Sequence, residues 1–223
     1  DGSLLTPLAA LGIPTRPFEP SNCGVNIHWP SEFIQRFDGS PLKNIALQIG
    51  DQVVYGEALI TRYGLEGNAL YPLIPAIRAA LQKKAPVSLV VNLKPYNTLE
   101  SLCKKISPLE TTPKNYAYYL KVSKAALGLA KQYTTKTVYL QPLEFARAIQ
   151  QLVLPIEGLR PTEEAISTVG GIGLGQLHAH FELTTRPDWY AIGEMVDWDA
   201  PTGGFLLQGC FAMAKACADY LNQ

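Results

Sequence analysis

Residues 189–209 combine the residue types of this chain that are best suited to binding a cofactor. A short apolar run over residues 189–192 ends in Gly193-Glu194, and after a loop Thr202-Gly203-Gly204 opens a helical pattern of about seventeen residues. A helix that begins on glycine presents unobstructed backbone N–H groups and the positive end of its dipole. This pattern predicts a buried strand, an acidic turn and a helix start suited to a phosphate, a ribose or the electron-rich edge of a flavin.

Glu194 supports a binding role for this stretch, because an acidic side chain at the end of a strand accepts hydrogen bonds from ligand hydroxyls in dinucleotide-binding folds. The helix also carries small residues, such as Gly209 and Ala212, that permit close packing on a sheet. The alternative is an ordinary strand–loop–helix unit in which the glycines only cap the helix. The residues alone do not decide between these two interpretations.

Two further groups resemble binding motifs but are better explained structurally. Residues 170–175 (GGIGLG) lack the spacing of a dinucleotide-binding GxGxxG loop, since position 176 is Gln and no helical pattern follows. A flexible turn between strands is predicted there, although its glycines also permit close approach to a ligand. His178 and His180 share one face of a predicted strand but lack a third ligand beyond Glu182, so solvent-facing histidines and no metal site are predicted.

The elements that position these residues form an α+β pattern. Strands are predicted over residues 24–29, 45–49, 52–61, 87–93, 136–140, 153–159, 165–169, 177–183 and 189–192. Helices are predicted over residues 3–11, 70–84, 98–106, 115–132 and 142–152, besides the last one. Short alternating strands joined by turns favour an antiparallel barrel or sandwich with inserted helices. The Pro-rich residues 14–20 are predicted to be an extended loop.

Composition limits the classes of partner. Lys plus Arg and Asp plus Glu number 19 each, so net neutrality argues against nucleic acid and anionic membranes. No apolar run approaches the roughly 18 residues of a membrane span, and no signal peptide is visible. The four cysteines contain no CxxC pair and fit reduced thiols in a cytoplasmic protein, with a disulfide between distant pairs left open.

Residues 193–212 (GEMVDWDAPTGGFLLQGCFA) closely resemble the C-terminal signature of a bacterial family of predicted flavoproteins. Its members are NAD(P)/FAD-dependent oxidoreductases, among them aminoacetone oxidase-like and bile-acid-reductase-like proteins. Three further segments resemble the family in the same order: residues 20–24 with Trp29, residues 60–67, and residues 160–171.

The resemblance implies a glutathione-reductase-type, Rossmann-like FAD domain built from the two ends of the family's sequence, interrupted by a β-barrel domain with a small helical subdomain. Residues 1–13 would end the N-terminal FAD-domain segment. Residues 14–170 would form the inserted barrel, with the helical subdomain near residues 68–132, and residues 171–223 would complete the FAD domain. The chain is then expected to be a fragment that lacks the GxGxxG loop for the FAD pyrophosphate.

Residue roles follow by position from the same resemblance. Glu194 would bond the ribityl chain, the helix start would lie along the isoalloxazine, and residues 170–171 would lie near the flavin where the chain re-enters the FAD domain. Leu206 stands where the family usually has Asn, which removes one polar contact to the flavin or substrate. The implied cofactor-binding residues are Gly170, Gly171, Gly193, Glu194, Thr202, Gly203, Gly204, Phe205 and Leu206.

The expected activity is FAD-dependent redox chemistry on a small-molecule substrate by the full-length protein, with NAD(P)H as a candidate reductant. No catalytic acid, base or nucleophile is identified. A non-catalytic module that binds a ligand or a protein on a degenerate flavoprotein scaffold is the alternative, and a secreted protein matured at Asp1 is a third. An intact GxGxxG loop in the upstream sequence would favour the enzyme.

Overall fold

The computed structural model describes residues 2–107 and 112–223. Asp1 and residues 108–111, which fall within the predicted N-terminal segment and helical subdomain, lie outside the described residues. The chain divides into two compact units: a central unit, Gly24–Leu159, and a terminal unit made of residues 2–23 and Arg160–Gln223. The family-based domain limits at residues 14 and 170 stay a prediction.

The described residues form nine α-helices and twelve strands. The helices are α1 Leu5–Ala10, α2 Ser31–Phe37, α3 Ile74–Gln82, α4 Leu99–Ile106, α5 Tyr116–Leu120, α6 Lys124–Gln132, α7 Lys136–Leu140, α8 Pro142–Ala148 and α9 Phe205–Leu221. The strands are β1 Thr15–Ser21, β2 Val25–Asn26, β3 Pro41–Ile49, β4 Gln52–Thr61, β5 Gly64–Glu66, β6 Val87–Asn92, β7 Leu152–Ile156, β8 Gly158–Leu159, β9 Ser167–Gly173, β10 Glu182–Leu183, β11 Arg186–Tyr190 and β12 Val196–Asp197.

The central unit is built on an antiparallel seven-stranded sheet in the order β7-β6-β3-β4-β5-β2-β8. Its two outermost strands, β7 and β8, are separated along the chain by Glu157 alone. The sheet must therefore curve back on itself, which gives a barrel-like domain. Within the described residues no ladder between β7 and β8 closes the barrel.

The β3–β4 hairpin follows directly from the sequence. Alternating Ile45, Leu47 and Ile49 predict β3, and Gly50-Asp51 forms the turn, where Gly50 has a φ of 53°. A left-handed φ suits glycine because it has no Cβ. Leu47 has no exposed surface, so one face of the hairpin packs into the core as the alternation predicts.

Two predictions for the helical region are wrong. Residues 136–140 form α7 rather than a strand, because Thr135 caps the helix by accepting a hydrogen bond from the Val138 N–H (3.3 Å) and Tyr139 packs against Phe145. The predicted helix over residues 115–132 is broken into α5 and α6 at Lys121, whose φ is 51°.

The terminal unit contains a three-stranded sheet in the order β1-β9-β12, in which β9 pairs antiparallel with β1 and parallel with β12. Residues 14–20, predicted as a loop, instead supply β1. Its prolines are tolerated because β1 is an edge strand with a register shift between Arg16 and Glu19. Residues 170–173, predicted as a turn, lie within β9.

Three other strand predictions need correction. Residues 177–183 form a turn in which only Glu182–Leu183 is a strand. The run over residues 189–192 is not a buried strand, since β11 ends at Tyr190 and Trp189 is 47% exposed. Residues 24–29 give only the short β2, and the Trp29 indole donates to the Thr61 carbonyl (2.9 Å).

A small apolar core holds the terminal unit together. It contains Leu8, Ile13, Ile172, Leu183, Ala191 and Val196, with Leu177, Met195 and Trp198 packed against it. This core fixes α1, β9 and β12 around residues 191–198. The mixed α+β class is thus confirmed, while the Rossmann-like identity of the terminal unit stays a prediction. None of the helices in the described ranges has the length and apolar character needed to cross a bilayer.

Candidate cofactor site

Gly170 and Gly171 allow backbones to approach at the centre of the terminal unit. Gly171 has a φ of 98°, and a Cβ there would lie 2.4 Å from the Met195 carbonyl oxygen. Gly170 has a φ of 117°, and its Cβ would lie 2.3 Å from the Pro17 carbonyl oxygen. Only glycine fits such positions. The glycines therefore bring β1 and residues 193–195 close to β9.

Gly193 joins this centre to α9. Its N–H donates to the Met213 sulfur (3.3 Å), and its carbonyl accepts from the Trp198 indole N–H (3.2 Å). Its φ is 71°, so glycine is again required. A Cβ built on Gly209 would lie 2.3 Å from the Trp198 ring, which shows how closely the indole lies against α9. Trp198 and Gly193 therefore set the position of the helix.

Glu194, which follows Gly193, borders a cleft of about 620 Å³ within the terminal unit. The cleft is also lined by Gly2, Leu5, Phe18, Thr162, Glu163 and Thr168. Glu194 is exposed, so its carboxylate is accessible to a ligand. The glycine pair of β9 lies behind it, because the neighbouring Met195 contacts Gly171.

The chemistry of the cleft suits a hydroxyl-rich ligand. Its lining combines the carboxylates of Glu163 and Glu194 with the hydroxyls of Thr162 and Thr168, and none of these lining residues is basic. Carboxylates accept hydrogen bonds from hydroxyl groups and repel phosphates. Polyol hydroxyls such as those of a ribityl chain therefore match this wall better than a pyrophosphate does.

One side of the cleft is fixed by an ion pair. Arg160 donates to both carboxylate oxygens of Glu164, at 2.7 and 2.5 Å, across the turn that carries Thr162 and Glu163. Hydrogen bonding to the Arg160 guanidinium lowers the pKa of the Glu164 carboxyl. This ion pair orders the turn and does not involve Thr162 or Glu163, the two residues of the turn that line the cleft.

The helix start over residues 202–206 has the form predicted for a ligand-binding terminus. Gly203 and Gly204 have φ values of 102° and 88°, and α9 begins at Phe205. Gly204 occupies the cap position, so no side chain caps the helix. Thr202 and Leu206 are half-buried. The first turn of α9 thus presents backbone N–H groups beside the exposed Phe205 ring.

The structure brings the predicted residues together in two groups. Gly170, Gly171, Gly193 and Glu194 form one group around Met195. Thr202, Gly203, Gly204, Phe205 and Leu206 form the other, at the start of α9. The two groups are linked by Trp198, which contacts Gly193 and Gly209. Their contact with FAD stays a prediction.

Two residues not singled out for this role fix the loop before α9. The buried Asn22, whose φ is 47°, donates to the Ser167 hydroxyl and to the Ala200 carbonyl, both at 2.7 Å. Ser21 donates a short hydrogen bond to the Asp199 carboxylate. In the sequence, only the family resemblance distinguishes residues 20–24. Their anchoring role depends on contacts across 145 to 178 residues of sequence, which no local pattern signals.

Asp197 is a third residue that sequence analysis missed. Its carboxylate accepts from the Arg16 guanidinium (2.9 Å) and from the Gly170 N–H (3.1 Å). The side chain of Asp197 is only 11% exposed, whereas that of Arg16 is 67% exposed. One carboxylate therefore ties β12 to both other strands of the sheet.

The outer face of α9 is apolar and uncovered. Phe205, Leu207 and Phe211 are each at least 60% exposed, and Leu221 is 57% exposed. By the 3.6-residue period of the helix, Leu207, Phe211 and Leu221 lie on one side, and Phe205 lies near the opposite side. Large exposed apolar side chains that share one side of a helix mark a place where another element packs. Gly209 and Ala212, the small residues for which close packing on a sheet is predicted, lie on another side of the helix, and that packing stays a prediction.

The histidines do not form a metal site. His180 stacks on Tyr220 of α9, with ring centroids 4.2 Å apart, and the His178 N–H donates to the Glu182 carbonyl (2.7 Å). The predicted strand that would have aligned them does not form. Across residues 2–107 and 112–223, no group of three or more His, Cys, Asp or Glu side chains could hold a metal ion.

These features define an α+β protein with a barrel-like antiparallel sheet, inserted helices and a glycine-rich helix start. Comparison with known proteins then identifies its family. Residues 19–167, more than half of the chain, match the HI0933-like protein barrel and H2TH domain. The chain belongs to the HI0933-like flavoprotein family, within the FAD-dependent oxidoreductase superfamily. A search of curated proteins finds no match.

The family match confirms the flavoprotein resemblance at the level of the family and its oxidoreductase scaffold. It also points to FAD as the cofactor of the full-length protein. The aminoacetone oxidase-like assignment and the fragment status stay predictions.

Proposed function

We propose that the full-length protein is a FAD-dependent oxidoreductase acting on a small-molecule substrate in the cytoplasm. The observation that carries this proposal is the acidic, hydroxyl-lined cleft beside Glu194, next to the Gly170-Gly171 backbone contact. Bound FAD would supply the hydride chemistry. The family match to flavoproteins supports FAD over other hydroxyl-bearing ligands.

In this proposal the chain's own residues bind and orient the cofactor. The Glu194 carboxylate would accept hydrogen bonds from the ribityl hydroxyls, at a wall where none of the lining residues is basic. The start of α9 would direct its N–H groups and its positive dipole end at the flavin and would stabilise negative charge on it. NAD(P)H is the proposed reductant.

The exposed apolar face of α9 is consistent with this proposal. Leu207, Phe211 and Leu221 would pack against a further part of the FAD domain, as the family's domain organisation implies. A helix that starts at a cofactor and packs on a sheet along its length is the usual arrangement of dinucleotide-binding folds.

A comparison of two carboxylates tests the proposed role of Glu194. In the full-length protein, Glu194→Gln should weaken FAD binding about tenfold, because it removes a charged acceptor. Asp51→Asn is the matched control, because it removes an exposed carboxylate that does not line this cleft, and it should leave FAD binding unchanged. FAD binding measured by fluorescence quenching gives both values. Unchanged binding in Glu194→Gln contradicts its role, and no binding by the parent protein contradicts the flavoprotein proposal.

A further inference from the structure

Charge is unevenly distributed along this neutral chain. Residues 83–147 contain eleven Lys and Arg residues but only three Asp and Glu residues. This stretch belongs to the central unit and includes the helices α4 to α8. The helical part of the central unit therefore has the capacity to attract anions, which whole-chain neutrality conceals.

Three lysines converge on one recess, here called the basic recess, of about 220 Å³. It is lined by Lys43, Lys94 and Lys121, with Pro41, Asn44, Ile45, Leu93, Val122, Ser123 and Ala126. None of these lining residues is acidic. The volume is below the roughly 300–1,000 Å³ of drug-sized pockets, so the recess suits a compact ligand.

Lys43 is directed to the recess by a β-bulge. The β3–β4 register shifts between Leu42 and Ile45, and Asn44 has a φ of 53°. Leu42 and Ile45 are both buried, whereas Lys43 and Asn44 are exposed. The extra residue therefore presents Lys43 and Asn44 together on the outer face of the sheet.

Hydrogen bonds to the backbone of Lys94 fix its position. Its N–H donates to the Asn92 side-chain oxygen (2.8 Å), and its carbonyl accepts from the Gln150 amide (3.3 Å). Its ammonium donates to the Lys121 carbonyl (3.3 Å). Burial lowers the pKa of Lys94, and the positive charges of Lys105 and Lys121 lower it further. Two further positive charges therefore act on the Lys94 ammonium at the recess.

The third wall is the turn between α5 and α6. Lys121 is held in the left-handed conformation, and the following Val122 N–H donates to the Ala117 carbonyl (3.0 Å). Ser123 then caps α6 by accepting from the Ala126 N–H (3.0 Å). The positive end of the α6 dipole adds to the charge of the three lysines at the same recess.

We propose that the basic recess binds the phosphate group of a small anionic molecule. Three ammonium groups on three separately fixed segments can donate to different oxygens of one phosphate, and such charge-assisted hydrogen bonds are the strongest type in proteins. The site lies in the central unit and is separate from the cleft beside Glu194. It does not depend on the proposed flavin chemistry.

Calorimetric titration with inorganic phosphate and with pyrophosphate at low ionic strength tests this site. The parent protein should bind one of them with a dissociation constant of about 1 mM or tighter. Lys94→Gln and Lys43→Gln, on two different segments, should each weaken binding about tenfold. Lys83→Gln is the matched control, because Lys83 is an exposed lysine that does not line the recess, and it should bind like the parent.

A second readout locates the bound anion. In an NMR titration, saturating phosphate should raise the pKa of the Lys94 ammonium, because a bound anion places a negative charge beside it. An unchanged Lys94 pKa, or no phosphate binding, overturns the proposal. Binding of a single-stranded oligonucleotide without binding of phosphate also overturns it, if Lys83→Gln weakens that binding as much as Lys94→Gln does. Such a result would show that diffuse positive charge, and not the recess, explains the binding.

Discussion

Gly171 offers the sharpest test of the terminal unit, because its substitution meets backbone rather than a movable side chain. We predict that Gly171→Ala destabilises the pairing of β9 with residues 193–197. A Cβ at this position would lie 2.4 Å from the Met195 carbonyl oxygen, at a φ of 98°. Neither feature can be relieved without moving a strand.

The expected magnitude follows from two effects. A left-handed backbone conformation costs a non-glycine residue about 1–2 kcal/mol. Forcing an extra carbon into a close-packed site costs about 1–3 kcal/mol more. The free energy of unfolding should fall by about 2–5 kcal/mol, which for a unit of this size lowers the melting temperature by roughly 10 °C or more.

Gly173→Ala is the matched control in the same strand. Gly173 has a φ of −62°, and nothing lies within 4 Å of a Cβ built on it. Alanine there should change stability by less than about 1 kcal/mol and can stabilise by reducing the freedom of the unfolded chain. The pair of variants therefore separates backbone geometry from a general effect of adding a methyl group.

Hydrogen exchange of the β9 and β12 amides, alongside thermal unfolding, measures the effect where it is expected. Protection should drop in Gly171→Ala and persist in Gly173→Ala. Equal protection in the two variants would refute the close contact between Gly171 and Met195, and with it the placement of Glu194 beside the glycine pair.

Three further predictions follow from the same contacts. Asn22→Ala should lower the free energy of unfolding by about 2–4 kcal/mol, because two buried hydrogen bonds are lost and alanine tolerates the positive φ poorly. Denaturant titration measures this change. Asn22→Asp is the comparison, because aspartate tolerates a positive φ as asparagine does. Asp197→Ala should cost about 1–3 kcal/mol by leaving the Gly170 N–H without its acceptor, whereas Asp197→Asn should cost clearly less. Burial, and then the charge of Glu157, raise the pKa of Tyr133 to about 12. The folded form therefore holds the phenol proton more tightly, so its stabilising effect is complete below about pH 10 and is lost as the pH rises through about 12. Urea unfolding across this range should show a smaller loss in Tyr133→Phe than in the parent protein, because Tyr116 and Tyr190, whose pKa values are also raised, contribute to the loss in both.

Much of the central unit could be predicted because its signals are local. The alternation in β3 and β4 and the Gly50-Asp51 turn place the hairpin correctly. The apolar spacing over residues 70–84 predicts α3. Such elements form where the period of the sequence and the burial pattern agree. The α2 helix was missed although Phe33 and Phe37 have helical spacing, since the segment is only seven residues long.

Local patterns failed where tertiary contacts decide the structure. Thr137, Val138 and Tyr139 favour a strand in isolation, but the Thr135 cap and the packing of Tyr139 make residues 136–140 helical. Residues 177–183 alternate as a strand would, yet His180 leaves that pattern to stack on Tyr220. Propensity is a weak constraint that such contacts override.

The candidate site was predicted only in part for a similar reason. The glycines of residues 193–206 could be identified because positive φ and close approach leave a sequence signal. The anchors Asn22 and Asp197 could not, because their partners lie far away in the sequence. The net charge of zero also gave no sign of the basic recess, because positive and negative residues cancel in the total even where the positive ones cluster at one place on the surface.

The visible absorption spectrum of the full-length protein, purified without added cofactor, tests the proposed flavoprotein function most directly. Flavin bands near about 370 and 450 nm, with FAD released on denaturation, are the predicted result. A spectrum without these bands that stays flat when FAD is added would contradict the proposal, and residues 193–206 would then be a scaffold that binds no flavin.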